Sequence, residues 1–97
     1  MVARVSTYLG PTDRIDDAVR SFDDLTEELG TIDGFEDAYV LVDRGSGKAM
    51  TVTLWSSEEA AEASAERASQ MRTDAVAASG FSIGTTETYD VALHVAP

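Results

Sequence analysis

The chain has 97 residues, 43 % of them hydrophobic, with seven Lys plus Arg against 18 Asp plus Glu, a formal net charge of −11. That length holds one domain, 1–97, and leaves no room for a second core. The absence of Cys excludes disulfides, thiolate nucleophiles and cysteine-held metal clusters.

Residues 2–9, VARVSTYL, are β-branched and aromatic and read as a first strand that stops at Gly10-Pro11. Thr12 or Asp13 then caps a helix with the apolar stripe Ile15, Ala18, Val19, Phe22, Leu25 and Leu29, and Gly30 is its expected left-handed stop. Gly34 opens a second strand, Phe35 to Asp43. Arg44-Gly45-Ser46-Gly47 is a hairpin turn, and Lys48 to Trp55 is the third strand. Ser56 and Glu59 form an S-x-x-E capping box for a second helix running to about Ser79, with Gly80 as its stop. Its inner stripe is Ala61, Ser64 or Ala65, Ala68, Met71, Ala75 and Val76. The last strand falls within Thr86 to Val95, where Tyr89, Val91, Leu93 and Val95 alternate. The order βαββαβ predicts an α+β, ferredoxin-like fold, a four-stranded antiparallel sheet with two helices on one face.

The hairpin also predicts a register. Pairs whose numbers sum to 91 put Tyr39, Leu41, Met50, Val52 and Leu54 on one face and Ala38, Val40, Val42, Thr51, Thr53 and Trp55 on the other. The first set is more apolar and is expected under the helices, with Val5, Thr7 and Leu9. The second face would carry Arg4, Ser6, Tyr8, Thr88, Asp90, Ala92 and His94, with Arg4 and Asp90 as an ion pair. Too apolar to be left in water, it calls for a cover, and another copy of the chain, face to face, is the natural one.

The stretch Gly34 to Arg44, then Gly47-Lys48 and Thr53-Leu54-Trp55-Ser56-Ser57-Glu58-Glu59-Ala60, resembles the antibiotic biosynthesis monooxygenase-like family. The resemblance is strongest over residues 34–60. It implies a dimeric α+β barrel enclosing a pocket, and either oxidation of polycyclic aromatics by O₂ with no added cofactor or degradation of haem. It also implies an Asn on the first strand, a Trp at the end of the third and, in haem degraders, a His on the second helix. Trp55 matches the Trp. No Asn occurs anywhere, and residues 57–79 contain no His.

Trp55, Tyr8, Ser6 and Thr53 are the candidate substrate-binding residues, with Trp55 as a stacking surface near a barrel mouth. His94, the single His, is the candidate general base. One His per chain supplies no multi-His metal site, so no metal and no cofactor is expected. The expected partners are a second copy and a small aromatic ligand. Nucleic acid is excluded by the acidic charge without a basic stripe. The longest apolar run, Ala38 to Val42, is five residues, whereas a membrane helix needs about 20. MVARVSTYLG lacks the apolar core of a secretory signal, so the expected location is the cytoplasm. Two readings of function stand: a cofactor-independent monooxygenase, or a non-catalytic dimer that binds a small ligand or serves a structural role.

Overall fold

A computed structural model describes residues 1–97. Strand β1 (Val2–Leu9) leads through a 3₁₀ turn (Thr12–Arg14) into helices α1 (Ile15–Asp23) and α2 (Thr26–Gly30). Strands β2 (Phe35–Asp43) and β3 (Lys48–Trp55) form the hairpin, followed by α3 (Glu58–Ser79) and β4 (Ser82–Asp90). All strand pairs are antiparallel and the sheet order is β2-β3-β1-β4, the ferredoxin-like arrangement. No helix is long and apolar enough to cross a membrane.

The hairpin register follows the sum of 91 from Asp37↔Leu54 to Asp43↔Lys48, and a bulge then brings Phe35 opposite Trp55. Gly47 closes the turn at φ 77, with its carbonyl accepting from the Gly10 amide at 3.1 Å. A Cβ at this glycine would stand 2.0 Å from the Gly10 carbonyl oxygen, so the position takes no side chain.

Four local expectations are corrected. The first helix is broken at Asp24-Leu25. There Leu25 donates to the Phe22 carbonyl and the Thr26 hydroxyl to that of Asp23, and the restart puts Glu27 and Glu28 in a new first turn, where the helix dipole favours acids. Gly30 is the last residue of α2 and not a left-handed stop; positive φ occurs at Gly34, Gly47 and Gly80. The cap of α3 is Ser57, whose Oγ accepts from the Ala60 amide at 3.1 Å, whereas the Ser56 amide is spent on the Gly34 carbonyl. Strand β4 starts and ends earlier than the alternation suggests. It stops at Asp90, opposite Val2, with one further bond from the Val91 amide to the Met1 carbonyl at 3.0 Å. Val91, Leu93, His94 and Val95 follow the strand.

The largest correction concerns the faces of the sheet. The helices cover Val2, Arg4, Ser6 and Tyr8 of β1 and Ala49 and Trp55 of β3, all buried. Tyr8, Ile15, Ala18, Ala49, Val76 and Phe81 form one core cluster; Val2, Trp55 and Ala61 form a second, with Leu29, Ile32 and Phe35 packed against it. The set Tyr39, Leu41, Met50, Val52 and Leu54 therefore lies on the helix-free face, where Tyr39 is 54 % exposed. Helix α3 presents Ala61, Ser64, Ala68, Met71, Ala75 and Val76 inward as its periodicity predicts.

Candidate functional site

A cavity of about 470 Å³ lies between the sheet and the helices. Its floor is polar. Alternation along β1 and β3 delivers Arg4, Ser6, Thr51 and Thr53 to it, and β2 adds Ala38 and Val40. Its roof sets Val19 and Phe22 of α1, Leu25, Leu29 of α2 and Met71 of α3 over that floor, with Asp16, Arg20, Asp23 and Thr26 exposed on the same side. The break at Asp24-Leu25 lets Leu25 and Leu29 follow the cavity wall.

Three arginines line this space, Arg4 from the floor, Arg20 from α1 and Arg72 from α3, and Arg20 is exposed and paired with Asp17. Arg4 is 5 % exposed. Its guanidinium donates to the Ala61 carbonyl and reaches Ser64 Oγ at 3.5 Å, and its Cζ stands 5.2 Å from the centroid of the Trp55 ring. Burial lowers its pKa from the usual arginine value, and the nearby charge of Arg72 lowers it further. Arg72 is half-buried, and burial lowers its pKa as well. The expected ion pair between Arg4 and Asp90 does not form. Neither Arg4 nor Arg72 has a carboxylate within 4.0 Å, whereas Arg14, Arg20, Arg44 and Arg67 each do.

Ser6 and Thr53 line the cavity. Ser6 Oγ shares a hydrogen bond with Thr86 Oγ1 at 3.1 Å, and Thr53 Oγ1 accepts from Trp55 Nε1 at 2.9 Å. Trp55 itself is fully buried beneath α3, edge-on to Phe35 with centroids 5.7 Å apart. The expected stacking surface is thus corrected: the indole supports the floor from behind and offers a ligand no face. Tyr8 also stands behind the wall, packed against Phe22 and sharing a hydrogen bond of 3.0 Å with Thr51 Oγ1. Burial raises its phenol pKa, against a smaller lowering effect from that bond. His94 is exposed on the segment after β4 and is not among the cavity-lining residues, so Tyr8, Trp55 and His94 do not line one cavity.

The residue that sequence reasoning missed is Arg72. A signal for it existed, because it stands four residues after Ala68 and three before Ala75, on the flank of the inward stripe. The cavity lining contains no His. Its carboxylates, Asp16 and Asp23, are exposed, and Asp16 is held by Arg44 at 2.9 Å. The arrangement is therefore equipped to bind, orient and electrostatically stabilise a ligand more than to move a proton.

No protein-family profile matches the chain, and no curated protein does. Solved structures do match. A candidate antibiotic biosynthesis monooxygenase of Deinococcus radiodurans superimposes with a TM-score of 0.75 at 14 % identity, over 100 % of this chain and 98 % of that one. SnoaB, a cofactor-independent oxygenase of Streptomyces nogalater, gives 0.72 at 13 % identity over 97 % and 95 %. The haem degrader MhuD of Mycobacterium tuberculosis gives 0.71 at 22 % identity over 99 % and 100 %. The chain thus carries the fold of the antibiotic biosynthesis monooxygenase-like proteins, the group that its residues 34–60 resemble.

Proposed function

We propose that the chain is a monooxygenase-like protein that binds a small aromatic compound in the cavity between sheet and helices, without metal or flavin. The observation that carries this reading is a cavity that sets Val19, Phe22, Leu25, Leu29 and Met71 of the helices over a sheet floor of hydroxyls and the Arg4 guanidinium. Its volume falls within the range of about 300–1,000 Å³ of ordinary small-molecule sites. A flat ring seated under Phe22, Leu25, Leu29 and Met71 would present phenolic oxygens to Ser6, Thr51 and Thr53. The kinship in fold with SnoaB, a cofactor-independent oxygenase, supports the same reading. In such a reaction these residues hold an electron-rich ring, exclude water and favour its ionised form, and O₂ is the oxidant.

Haem does not fit the residues present. Helix α3 carries no His, the chain has no Cys, and the one soft donor lining the cavity is the Met71 thioether. Titration with haem is expected to give no Soret band that reaches one haem per chain and survives desalting.

The second reading is a non-catalytic dimer that binds a small ligand or serves a structural role. It is favoured by the lack of any buried base in the cavity. Native mass spectrometry and Trp55 fluorescence, corrected for inner-filter absorption, with a panel of flat polyphenols and quinones, combined with an oxygen electrode, separate the two. Binding with O₂ uptake and an oxygenated product supports the monooxygenase. Binding without uptake supports the passive dimer. No binding by any compound refutes an aromatic-ligand site.

The helix-free face supports a homodimer. Val5, Leu41, Met50, Val52 and Leu54 make it apolar and leave it uncovered. Two such faces packed together would bury about 2,000 Å² or more. Sedimentation at micromolar concentration should show twice the chain mass, and Val52→Asp should shift the protein to monomer. An unmodified chain that sediments as a monomer would refute this.

A further inference from the structure

In a chain with 18 carboxylates, an arginine without one is conspicuous. Four of the six arginines, all on the exposed surface, hold an acidic partner within 4.0 Å. Three arginines line the cavity: Arg20 is exposed and held by Asp17 at 3.2 Å, and the two that hold no carboxylate, Arg4 and Arg72, are the two removed wholly or partly from solvent. The Arg4 guanidinium has neutral partners only, a carbonyl, a hydroxyl and the Trp55 ring. Taking a charge out of water without a counter-charge is costly, and a protein normally supplies one. Here the sequence puts Thr51, Thr53, Thr86 and Thr88 at the neighbouring positions of the sheet; Asp90, opposite Val2, and Glu58 and Glu62, which share a smaller cavity with Arg4 and Arg72, are the acids on this side, and none comes within 4.0 Å of either guanidinium. The carboxylates at the cavity, Asp16 and Asp23, come from α1, and both are exposed.

We infer that the cavity selects an aromatic oxyanion, a ring bearing a carboxylate, with Arg4 and Arg72 as its charge partners. This rests on the aromatic-ligand reading above and names the class of ligand. A guanidinium is cationic at every working pH, and its fork of donors matches a planar oxyanion. The neutral partners of Arg4 fix its head while leaving its charge uncompensated. Arg72, with no hydrogen-bond partner of its own, is free to turn to the ligand. The apolar side chains of the roof account for the ring and the two cations for the charge, so the neutral isostere of the same ring satisfies only half of the site.

The test is calorimetric titration of the purified protein with 2-naphthoate and with the isosteric 2-naphthamide, at neutral pH. The carboxylate should bind at least about tenfold more tightly than the amide. Arg72→Gln, at a half-buried position where folding is expected to survive, should erase most of that difference and leave amide affinity unchanged. Arg72→Lys should restore part of it, since the charge returns without the planar fork. Equal affinities for the two probes overturn the oxyanion assignment and leave the aromatic site standing. Equal weakening of both probes by Arg72→Gln does the same, because it assigns Arg72 a packing role. Failure of both probes to bind, with the fold verified by circular dichroism, overturns the assignment together with the aromatic-ligand reading.

Discussion

Trp55 ties three parts of the molecule together. Its Nε1–H holds Thr53 in place, its ring edge meets Phe35, and its face receives Arg4. Trp55→Phe removes the hydrogen bond and leaves unfilled volume, a loss of about 2–3 kcal/mol. For a domain of this size that lowers the thermal midpoint by about 10 °C, readable by far-ultraviolet circular dichroism. An unchanged midpoint would contradict the packing described. Tyr8 supplies a pH signature. Burial raises its phenol pKa, so the folded state keeps a proton that the unfolded state loses once the pH passes about 10. The unfolded state then binds fewer protons, and stability falls as the pH rises through that value. Tyr89, raised by its bond to Glu87, acts in the same direction. Urea midpoints measured from pH 8 to 11 should therefore drop, and less steeply in Tyr8→Phe. At this scale the sequence was a partial guide. Ser6 and Thr53 could be picked out as small hydroxylated residues on one face of adjacent strands. Trp55 and Tyr8 could not be told from ligand-facing rings, because burial behind a wall and burial within a pocket call for the same side chains.

Glycines distinguish the loops that need them from those that do not. Gly47 has a positive φ and stands against the Gly10 backbone, so Gly47→Ala should cost more than about 2 kcal/mol. Gly30 ends α2 without a positive φ, and nothing lies within 4 Å of an added Cβ. Gly30→Ala should raise stability by about 0.4–1 kcal/mol, by restricting the unfolded chain. Parallel denaturant titrations of the two variants check the contrast, and effects of the same sign would refute it. Composition alone made these two residues look alike. The hairpin was legible because Gly45-Ser46 fixes a register on its own, whereas the end of β4 depends on where β1 begins, a relation that local alternation does not carry.

The assignment of the sheet faces shows where local reasoning stops. The face richer in Leu, Val and Met was the natural choice for the core, yet the helices cover the one with Arg4, Ser6, Thr51 and Thr53. Hydrophobicity ranks the two faces in the wrong order here because the covered face spends its positions on hydroxyls and a guanidinium that line the cavity, and the uncovered face keeps Leu41, Met50, Val52 and Leu54. The charge of −11 acts on the molecule as a whole. Most of the acids are exposed and repel one another, and at about 1 M salt the Debye length shrinks to about 3 Å. The thermal midpoint should rise between low and molar NaCl, and a fall would count against self-repulsion as a burden on the fold.

The broken first helix has a dynamic consequence. Helix α1 has nine residues and α2 five, both below the length of about 12–15 at which a helix holds itself together in water, while α3 has 22. One wall of the cavity is therefore kept helical by its side-chain contacts alone, and the opposite wall by a long capped helix. Amide protons of Leu25 to Ile32 should exchange with deuterium well before those of Ala68 to Val76, through local opening that leaves the sheet intact. The cavity would then breathe from one side only, opening at the α2 wall while α3 and the sheet keep Arg4, Ser6, Thr51 and Thr53 in place.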